Sequence, residues 1–360
     1  MSLRVAALDD DERTWDEAFA TLPPRLRDVY FSSGYLRLWQ RNGDGRAHGA
    51  IFTEGEHLVL YPFLLRDLSD TPHLGARFAG LYDIQTPYGY GGPLLAASDA
   101  GTLARFRADF DAWCRGHGVV SEFVRFHPLL DTHRGMESLM ELRESNTTVW
   151  CRLEGSADER LMSLSASTRR GVRKAREAGL RFSVETSDEA YGRFVELYRA
   201  TMTRRRAADY YLFDDRHFAS FRELLGAGQS LLCVRHGATI VAAALFMRSA
   251  AFIHYHLGGS DAAALSARPN NLLFFEAMEW GHAQGAEALH LGGGYHPDDD
   301  LFRFKAGFSP LRARFYTGRL VHLADEYERA AAARAAAAPL TGGAYFPAYR
   351  APFPRSDAVG

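Results

Sequence analysis

Lys305 is the residue of this sequence whose type and neighbours best suit the stabilisation of an oxyanion. It lies between Phe304 and Phe308, shortly after three consecutive glycines at 292–294. Apolar neighbours keep water away from an ammonium group, and a cation in dry surroundings stabilises a developing oxyanion strongly. Lys305 and Lys174 are the only lysines among 42 basic residues. Arginine-rich codon usage explains that bias in general, but a retained lysine offers a proton that can leave. We predict that Lys305 is catalytic and that Phe304 and Phe308 contact substrate; the alternative is an exposed charge.

The stretch 163–179 predicts a basic helix that starts at Ser165 or Ser167 and ends at Gly179. Residues 169, 173 and 176 share one helical face, and residues 170 and 174 share another. One interpretation is a phosphate-contacting surface. The other is a solvated face whose charges pair with acids such as Glu177. The candidate phosphate-binding residues are Arg169, Arg170, Arg173 and Lys174.

Two further segments combine tyrosines with arginine or glycine. In 201–215, Arg204 precedes Tyr211, and arginine can bind phosphate bidentately while tyrosine lines a pocket. In 83–94, Tyr88 and Tyr90 precede a Gly-Gly-Pro turn and are candidates for a pocket wall. For both segments the alternative is a loop anchored by packed aromatic rings.

Four histidines and three consecutive aspartates supply the remaining candidates. The histidines at 254, 256, 290 and 296 lack the spacing of a zinc site, so we expect no metal. His256 is a candidate polar group of a pocket, or a general base. The aspartates at 298–300 are alternative bases, and nothing in the sequence chooses among them.

Composition limits the class of protein. With 360 residues, two domains are expected, and 47% hydrophobic residues allow a sizeable core. The net charge of -2 gives no overall attraction to nucleic acid or to an anionic membrane. The N-terminus lacks an apolar core typical of a signal peptide, no run reaches the length of a membrane span, and three scattered cysteines fit a reducing compartment. We therefore expect a cytoplasmic protein.

The elements that position these residues recur along the chain. In the first half, 51–66 predicts two strands joined by a glycine turn, and a helix over 101–117 and a strand over 119–126 follow. In the second half, 230–248 predicts a strand pair, followed by a helix over 270–284 and a strand over 286–293. The glycines at 118 and 285 suit helix ends that need a positive φ.

This order of elements resembles the core of a GNAT domain, present twice. The expected fold is α/β, with two tandem GNAT-like domains and mixed sheets. We place a diverged acceptor-side domain at 1–155, a catalytic domain at 156–322, and a C-terminal helix and tail at 323–360. One helix is expected at about 158–178 and another near 323–338.

Four motifs resemble the FemABX-like family. They are the basic pattern of 169–179, the T-x-x-R of Thr201 and Arg204, the segment PNNLLFFEAMEWG that contains Asn271, and the final F-K-A-G-F. The resemblance implies transfer of an amino acid from aminoacyl-tRNA to an amine. It also implies that Lys305 stabilises the tetrahedral intermediate, that Arg204 and Asn271 contact substrate, and that the basic helix binds tRNA.

Departures from the family pattern keep alternatives open. Gly91-Gly92-Pro93 replaces the Arg-Gly-Pro of many peptidoglycan enzymes, so the acceptor is a peptide or a small molecule that the sequence does not identify. Stretch 266–275 lacks the glycine pattern that cradles the pyrophosphate of CoA, which favours aminoacyl-tRNA as donor. The alternatives are an acyl-CoA-dependent acyltransferase and a non-catalytic module that binds RNA or a peptide. No cofactor is expected beyond the acyl donor itself.

Overall fold

The computed structural model of the chain describes residues 2–96, 100–296, 298–338 and 345–353. The chain divides into two compact units. The first comprises Met1–Pro23, Tyr30–Ser145 and Phe315–Gly360, and the second comprises Pro24–Val29 and Asn146–Arg314. The domain limits at 155 and 322 stay predictions. In the described ranges, no helix has both the length and the apolar composition needed to cross a bilayer.

The strands of the described residues include the two pairs predicted at 51–66 and 230–248, each joined by a glycine turn. The strands are β1 (Ser2–Ala7), β2 (Arg46–Glu54), β3 (His57–Asp67), β4 (Tyr82–Gln85), β5 (Leu94–Ala96), β6 (Val119–Arg125), β7 (Glu141–Arg152), β8 (Leu180–Glu185), β9 (Gln229–His236), β10 (Thr239–Arg248), β11 (Phe252–Ser260), β12 (Ala288–Gly292) and β13 (Arg312–Val321).

Most of the helices have an N-cap residue whose polar side chain accepts a backbone N–H. The helices are α1 (Leu8–Thr21), α2 (Ser33–Arg41), α3 (Ala100–Gly116), α4 (Ala157–Ser163), α5 (Ala166–Glu177), α6 (Asp188–Arg204), α7 (Asp215–Leu225), α8 (Pro269–Ala283), α9 (Asp300–Ala306) and α10 (Ala324–Ala337).

The first unit is built on a mixed sheet in the order β1-β2-β3-β4-β6-β13, with β5 beside β3. β4 and β6 are parallel, and the other neighbours are antiparallel. On one face, Phe106 and Phe110 of α3 pack against Ile84 and Val124. On the other face, Val120 packs with residues of α10 and of the C-terminal segment. Both faces of this sheet are therefore covered.

The second unit is built on the order β7-β12-β11-β10-β9-β8. β11 and β12 are parallel, whereas the other neighbouring strands run antiparallel. Its largest core cluster joins Val172 of α5 and Phe274 of α8 to the inward residues of these strands, and it includes Phe308. Phe308, three residues after Lys305, is thus anchored in the core.

The internal repeat is confirmed in strand order and in strand direction. β2-β3-β4-α3-β6 in the first unit and β9-β10-β11-α8-β12 in the second have the same connectivity. In each unit two antiparallel pairs are followed by a helical crossover to a parallel strand. Gly118 and Gly285, which follow the two crossover helices, have φ of +70° and +79°. These are the left-handed helix ends that the sequence predicted.

The prediction of a single helix at 158–178 is wrong, because the chain forms two helices there, α4 and α5. Ser165 caps α5 by accepting the N–H of Thr168, and the Ser165 N–H donates to Gly307 O at 2.8 Å. This contact turns the chain between the two helices. The helix expected at 323–338 is present as α10. In the tail, Tyr349 is fully buried, and residues 339–344 and 354–360 lie outside the described residues.

Candidate active site around Lys305

Lys305 is held in a closed loop between β12 and the end of α9. Its ammonium group donates a hydrogen bond of 2.7 Å to the backbone oxygen of Gly293, and only 5% of the residue is exposed. Asp299 caps α9 by accepting the Phe302 N–H at 2.7 Å. A side chain at Gly294 would collide with the Asp299 carboxylate, so glycine is required at that position. The predicted glycine-rich turn therefore serves to close the loop that carries the lysine.

The environment of Lys305 changes its protonation. Burial disfavours the charged form and lowers the pKa of the ammonium to about 7, although the negative charge of Asp299 acts in the opposite direction. At neutral pH both the charged and the neutral form of the group are therefore populated. A negative charge that develops nearby stabilises the protonated form, which is the behaviour needed of an oxyanion-binding lysine.

Tyr255 lies beside this lysine and belongs to a group of four interacting tyrosines from different parts of the chain. The ring centroid of Tyr255 lies 5.4 Å from the Lys305 Nζ. The Tyr198 hydroxyl donates to Tyr211 O at 2.7 Å, and the Tyr211 ring meets that of Tyr295 edge-on at 6.4 Å. Burial raises the pKa of Tyr255 to about 12, so its phenol stays protonated and can donate a hydrogen bond. Of these four tyrosines, the sequence predicted only Tyr211.

Phe304 and Phe308 form an apolar wall next to the lysine. Their ring centroids are 5.3 Å apart, and they lie 5.5 Å and 5.4 Å from the ring of Phe274. Tyr255 contacts the same Phe274 ring at 4.8 Å. These rings explain why the Lys305 ammonium is desolvated. Phe308 is fully buried, which leaves it a supporting role rather than contact with a ligand.

The two parallel strands next to the lysine diverge. β11 and β12 pair only from Phe252 to His254 and from Ala288 to His290. Beyond this point the register of β11 with β10 shifts, and His256 is the additional residue of a β-bulge. Diverging strands with a bulge present backbone groups to a ligand instead of to each other.

The second unit matches a known family of acyltransferase domains. Residues 162–306 match the family model described as an acetyltransferase (GNAT) domain. The second unit therefore carries a GNAT domain. No curated protein sequence matches the chain.

Solved structures extend the likeness to the whole chain. The chain is similar to FemX, with a TM-score of 0.70 and 13% identity over 91% of this chain and 99% of FemX. It is also similar to a conserved protein of unknown function from Bacteroides thetaiotaomicron, with a TM-score of 0.55, 12% identity and coverages of 89% and 99%. A third similar structure is the C-terminal domain of a proposed lysylphosphatidylglycerol synthetase from Agrobacterium fabrum, with a TM-score of 0.51, 15% identity and coverages of 84% and 90%. The predicted FemABX-like, tandem GNAT fold is thereby confirmed.

A buried polar chain lies where the paired part of β11 and β12 ends in the GNAT domain. Asp28 Oδ2 is 2.9 Å from His254 Nε2, and His254 Nδ1 is 3.3 Å from His290 Nδ1. The Ser249 hydroxyl also donates to Asp28, at 3.2 Å. Asp28, His254 and His290 are at most 1% exposed. The histidines were considered from the sequence only as metal ligands; Asp28 was missed because it lies far away along the chain.

Two of the candidate bases predicted from sequence, His256 and Asp299, are poor proton acceptors in this geometry. Burial lowers the pKa of His256 to about 3, and its ring packs 5.1 Å from that of Phe221. Burial opposes ionisation of Asp299, but hydrogen bonds from the N–H groups of Phe302, His296 and Tyr295 outweigh it and lower its pKa. Asp300 is exposed and bonded to Arg303, and the Asp298 backbone oxygen accepts from the same arginine.

Arg204 and Asn271 lie within the GNAT domain, where both contact neighbouring protein groups; their contact with substrate stays a prediction. Arg204 donates to the Thr201 hydroxyl at 3.2 Å and to Ser260 O at 3.4 Å. Asn271 packs against Gly171, where a Cβ would lie 2.8 Å from the Asn271 amide. Burial raises the pKa of both Tyr255 and Tyr295, and the positive charge of the neighbouring Arg205 opposes part of this rise.

The predicted basic helix lines a groove of the GNAT domain. The groove is lined by Leu161, Ala166, Arg169, Arg170, Val172, Arg173, Arg176 and Glu177. Arg176 is bonded to Glu276 at 2.8 Å, and Arg173 faces Glu177 at 3.8 Å. Arg170 and Lys174 are exposed, but Lys174 is not among the lining residues. Four arginines and one glutamate are thus among the lining residues, so these residues carry a net positive charge.

Tyr88 and Tyr90 belong to the first unit, where they pack with other aromatic residues. The Tyr88 ring lies 5.2 Å from Trp39, and its backbone oxygen accepts from the Tyr35 hydroxyl at 2.6 Å. Tyr90 contacts Tyr30 at 5.3 Å, and burial raises the pKa of its phenol. These contacts favour the packed-loop interpretation of 83–94.

Proposed function

We propose that this protein is an N-acyltransferase that moves an aminoacyl group from aminoacyl-tRNA to an amine of a peptide or small molecule. The observation that carries the proposal is the buried Lys305 ammonium, bonded to Gly293 O beside the diverging strands of a GNAT domain. Such a group supplies a positive charge where the oxyanion of acyl transfer develops, in surroundings that strengthen its effect.

The proposed reaction follows from this charge. The neutral amine of the acceptor attacks the ester carbonyl carbon, the C–N bond forms, and the carbonyl electron pair moves to oxygen. Protonated Lys305 and backbone N–H groups of β11 stabilise that oxyanion. The intermediate collapses, the C–O bond to the ribose breaks, and the amine proton is transferred to the leaving ribose oxygen. Amide and deacylated tRNA are the products.

Support for tRNA as donor comes from α5. Its arginine-lined groove offers several guanidinium groups to a phosphate backbone. The start of α5 is bonded to Gly307, two residues after Lys305, through the Ser165 N–H. A nucleic acid held on this helix is therefore held by an element fixed to the loop of the proposed catalytic lysine.

An acyl-CoA donor is the second candidate, favoured by the description of the family model as an acetyltransferase domain. In that case, a pyrophosphate would bind at the start of α8. Pro269 occupies the first helical position and lacks an N–H, and Arg268 before it has a φ of +62°. Asn271 is packed against α5. These features weaken the anion site that a helix N-terminus otherwise provides.

The experiment is filter binding of a mixed pool of charged tRNA, with and without acetyl-CoA. We expect binding that falls steeply with salt and does not respond to acetyl-CoA. Loss of tRNA binding on addition of acetyl-CoA, or no tRNA binding at all, would favour the CoA donor. Release of deacylated tRNA in the presence of amines distinguishes an enzyme from a module that only binds RNA.

A further inference from the structure

We propose that the first unit contains a separate binding site for a multiply charged phosphate group on a small molecule with an apolar portion. The site is a cavity of about 600 Å³. It is lined by Arg66, Gln85, Phe123, Arg125, Phe315, Thr317, Arg319, Tyr345, Phe346, Pro347 and Arg350. All of these residues belong to the first unit, so the proposal does not depend on the proposed acyl transfer.

The floor of this cavity is a face of the sheet whose strands set the positions of the polar groups. Gln85 of β4 is paired with Phe123 of β6, and Phe123 is paired with Arg319 of β13. In the adjacent row, Arg125 is paired with Thr317. Residues two apart on a strand share a face, so Arg125 and Arg319 rise from the same surface. The C-terminal segment, with Tyr345, Phe346 and Arg350, forms a wall.

The charges of the lining residues favour a multivalent anion. Four guanidinium groups line the cavity, and no aspartate or glutamate is among these lining residues. Asp83, beneath them, binds Arg66 and Arg350 with one carboxylate oxygen each, both at 2.6 Å. These five groups carry a net charge of +3. One carboxylate would offset only part of this charge, whereas a pyrophosphate or a phosphate monoester matches it better.

The guanidinium groups are also held in place before any ligand binds. Arg350 donates to the Thr71 hydroxyl at 3.0 Å in addition to its bond with Asp83. Arg125 donates to Thr86 O at 3.1 Å and lies over the Phe123 ring at 4.8 Å. Arginines fixed in this manner lose little conformational entropy when they bind phosphate.

The surroundings of Arg319 indicate that a bound negative charge would be stabilised at this site. Its guanidinium lies over the Phe346 ring at 5.6 Å. Burial and the charge of Arg143 lower its pKa, while Glu141 and Tyr327 act in the opposite direction. Glu141 is itself paired with Arg143 at 2.6 Å. Anchoring of the C-terminal segment explains Arg66 and Arg350 through Asp83. Arg125 is held by a ring and a backbone contact and Arg319 by a ring contact, and both line the cavity.

The probe is inorganic pyrophosphate, titrated calorimetrically into the full chain. The basic groove of α5 also attracts phosphate, so the titration uses a variant with Arg170→Gln and Arg173→Gln. In this background we expect saturable binding, weakened about tenfold by Arg125→Gln or Arg319→Gln, since each removes a charge-assisted hydrogen bond. Arg13→Gln, at an exposed position of α1 outside the lining, is the control and should leave the affinity unchanged.

Several results would overturn this assignment. The first is absence of pyrophosphate binding in the Arg170→Gln, Arg173→Gln background. The second is equal binding by the Arg125→Gln and Arg319→Gln variants, provided that their thermal unfolding shows that they are folded. The third is tighter binding of citrate than of pyrophosphate, which would make carboxylate the preferred group. A rise in melting temperature with pyrophosphate that disappears in the Arg319→Gln variant would support the site independently.

Discussion

The Lys305 ammonium donates to the backbone oxygen of Gly293, which closes the loop between β12 and α9 upon itself. The same loop is closed a second time by Asp299, whose carboxylate accepts the N–H groups of Tyr295 and His296. A buried lysine carries an energetic penalty for its charge. Such a penalty at a position with so many fixed contacts is typical of a residue kept for function and not for stability.

Replacement of Lys305 by methionine should therefore stabilise the protein. The folded pKa of about 7 lies below the unfolded value of about 10.4, so the unfolded state binds more protons between these values. The stability of the wild type thus rises with pH across this interval. The advantage of Lys305→Met, on the order of a few kcal/mol below about pH 7, should shrink towards about pH 10. Urea unfolding of both proteins across this range measures it. A difference that does not vary with pH would contradict the burial of the charge.

The pH dependence of the reaction tests which form of Lys305 acts. If the protonated form stabilises the oxyanion, kcat/KM falls above about pH 7, because the charged form is lost. The acceptor should be an amine of low basicity, such as hydroxylamine, so that its own titration does not obscure this limb. Lys305→Arg keeps its charge and should lack the limb, at reduced activity. A rate that increases through pH 7 would instead make Lys305 a general base.

Asp299→Asn should move this limb to lower pH. The Asp299 charge raises the pKa of Lys305, so its removal lets burial lower that pKa further. Asparagine can still cap α9, but its amide nitrogen cannot accept the N–H groups of Tyr295 and His296, at a cost of about 1 kcal/mol. Asp300→Asn is the matched control, because its carboxylate is 94% exposed and bonded to Arg303. Identical pH profiles for the Asp299 variant and the wild type would show that the two groups do not interact.

The basic face of α5 predicts a salt effect on tRNA binding. Arg170→Gln with Arg173→Gln should weaken the binding of every charged tRNA alike. It should also reduce the slope of log K against log salt by about 1 for each phosphate that the helix no longer neutralises. Arg216→Gln, an exposed position on α7, is the control. An unchanged slope in the α5 variant would identify the helix as an ordinary solvated face.

The order of elements could be predicted because it is encoded locally. Apolar periodicity indicated the strand pairs of both units, and Gly118 and Gly285 marked the ends of equivalent helices with the positive φ that the structure shows. Lys305 was recognisable because it is rare and has aromatic neighbours. Its burial follows from Phe304, Phe308 and the core ring of Phe274, two of which are close to it in sequence.

The remaining parts of the site depend on contacts that no local pattern records. Tyr198, Tyr255 and Tyr295 come from α6, β11 and the loop before α9, and only the folded sheet brings them together. Asp299 resembled a base because the sequence does not reveal that three N–H groups bind its carboxylate. The break between α4 and α5 arises from the bond of Ser165 to Gly307, a tertiary contact.

The most direct test of the role of Lys305 is single-turnover transfer from charged tRNA to an amine, by the wild type and by Lys305→Met. We expect amide product and deacylated tRNA from the wild type, and a loss of at least about 100-fold in rate for the variant, with tRNA binding retained. Urea unfolding of Lys305→Met, which we expect to show greater stability, separates a loss of rate from a loss of fold. Wild-type rates in the folded variant would contradict the central role of Lys305.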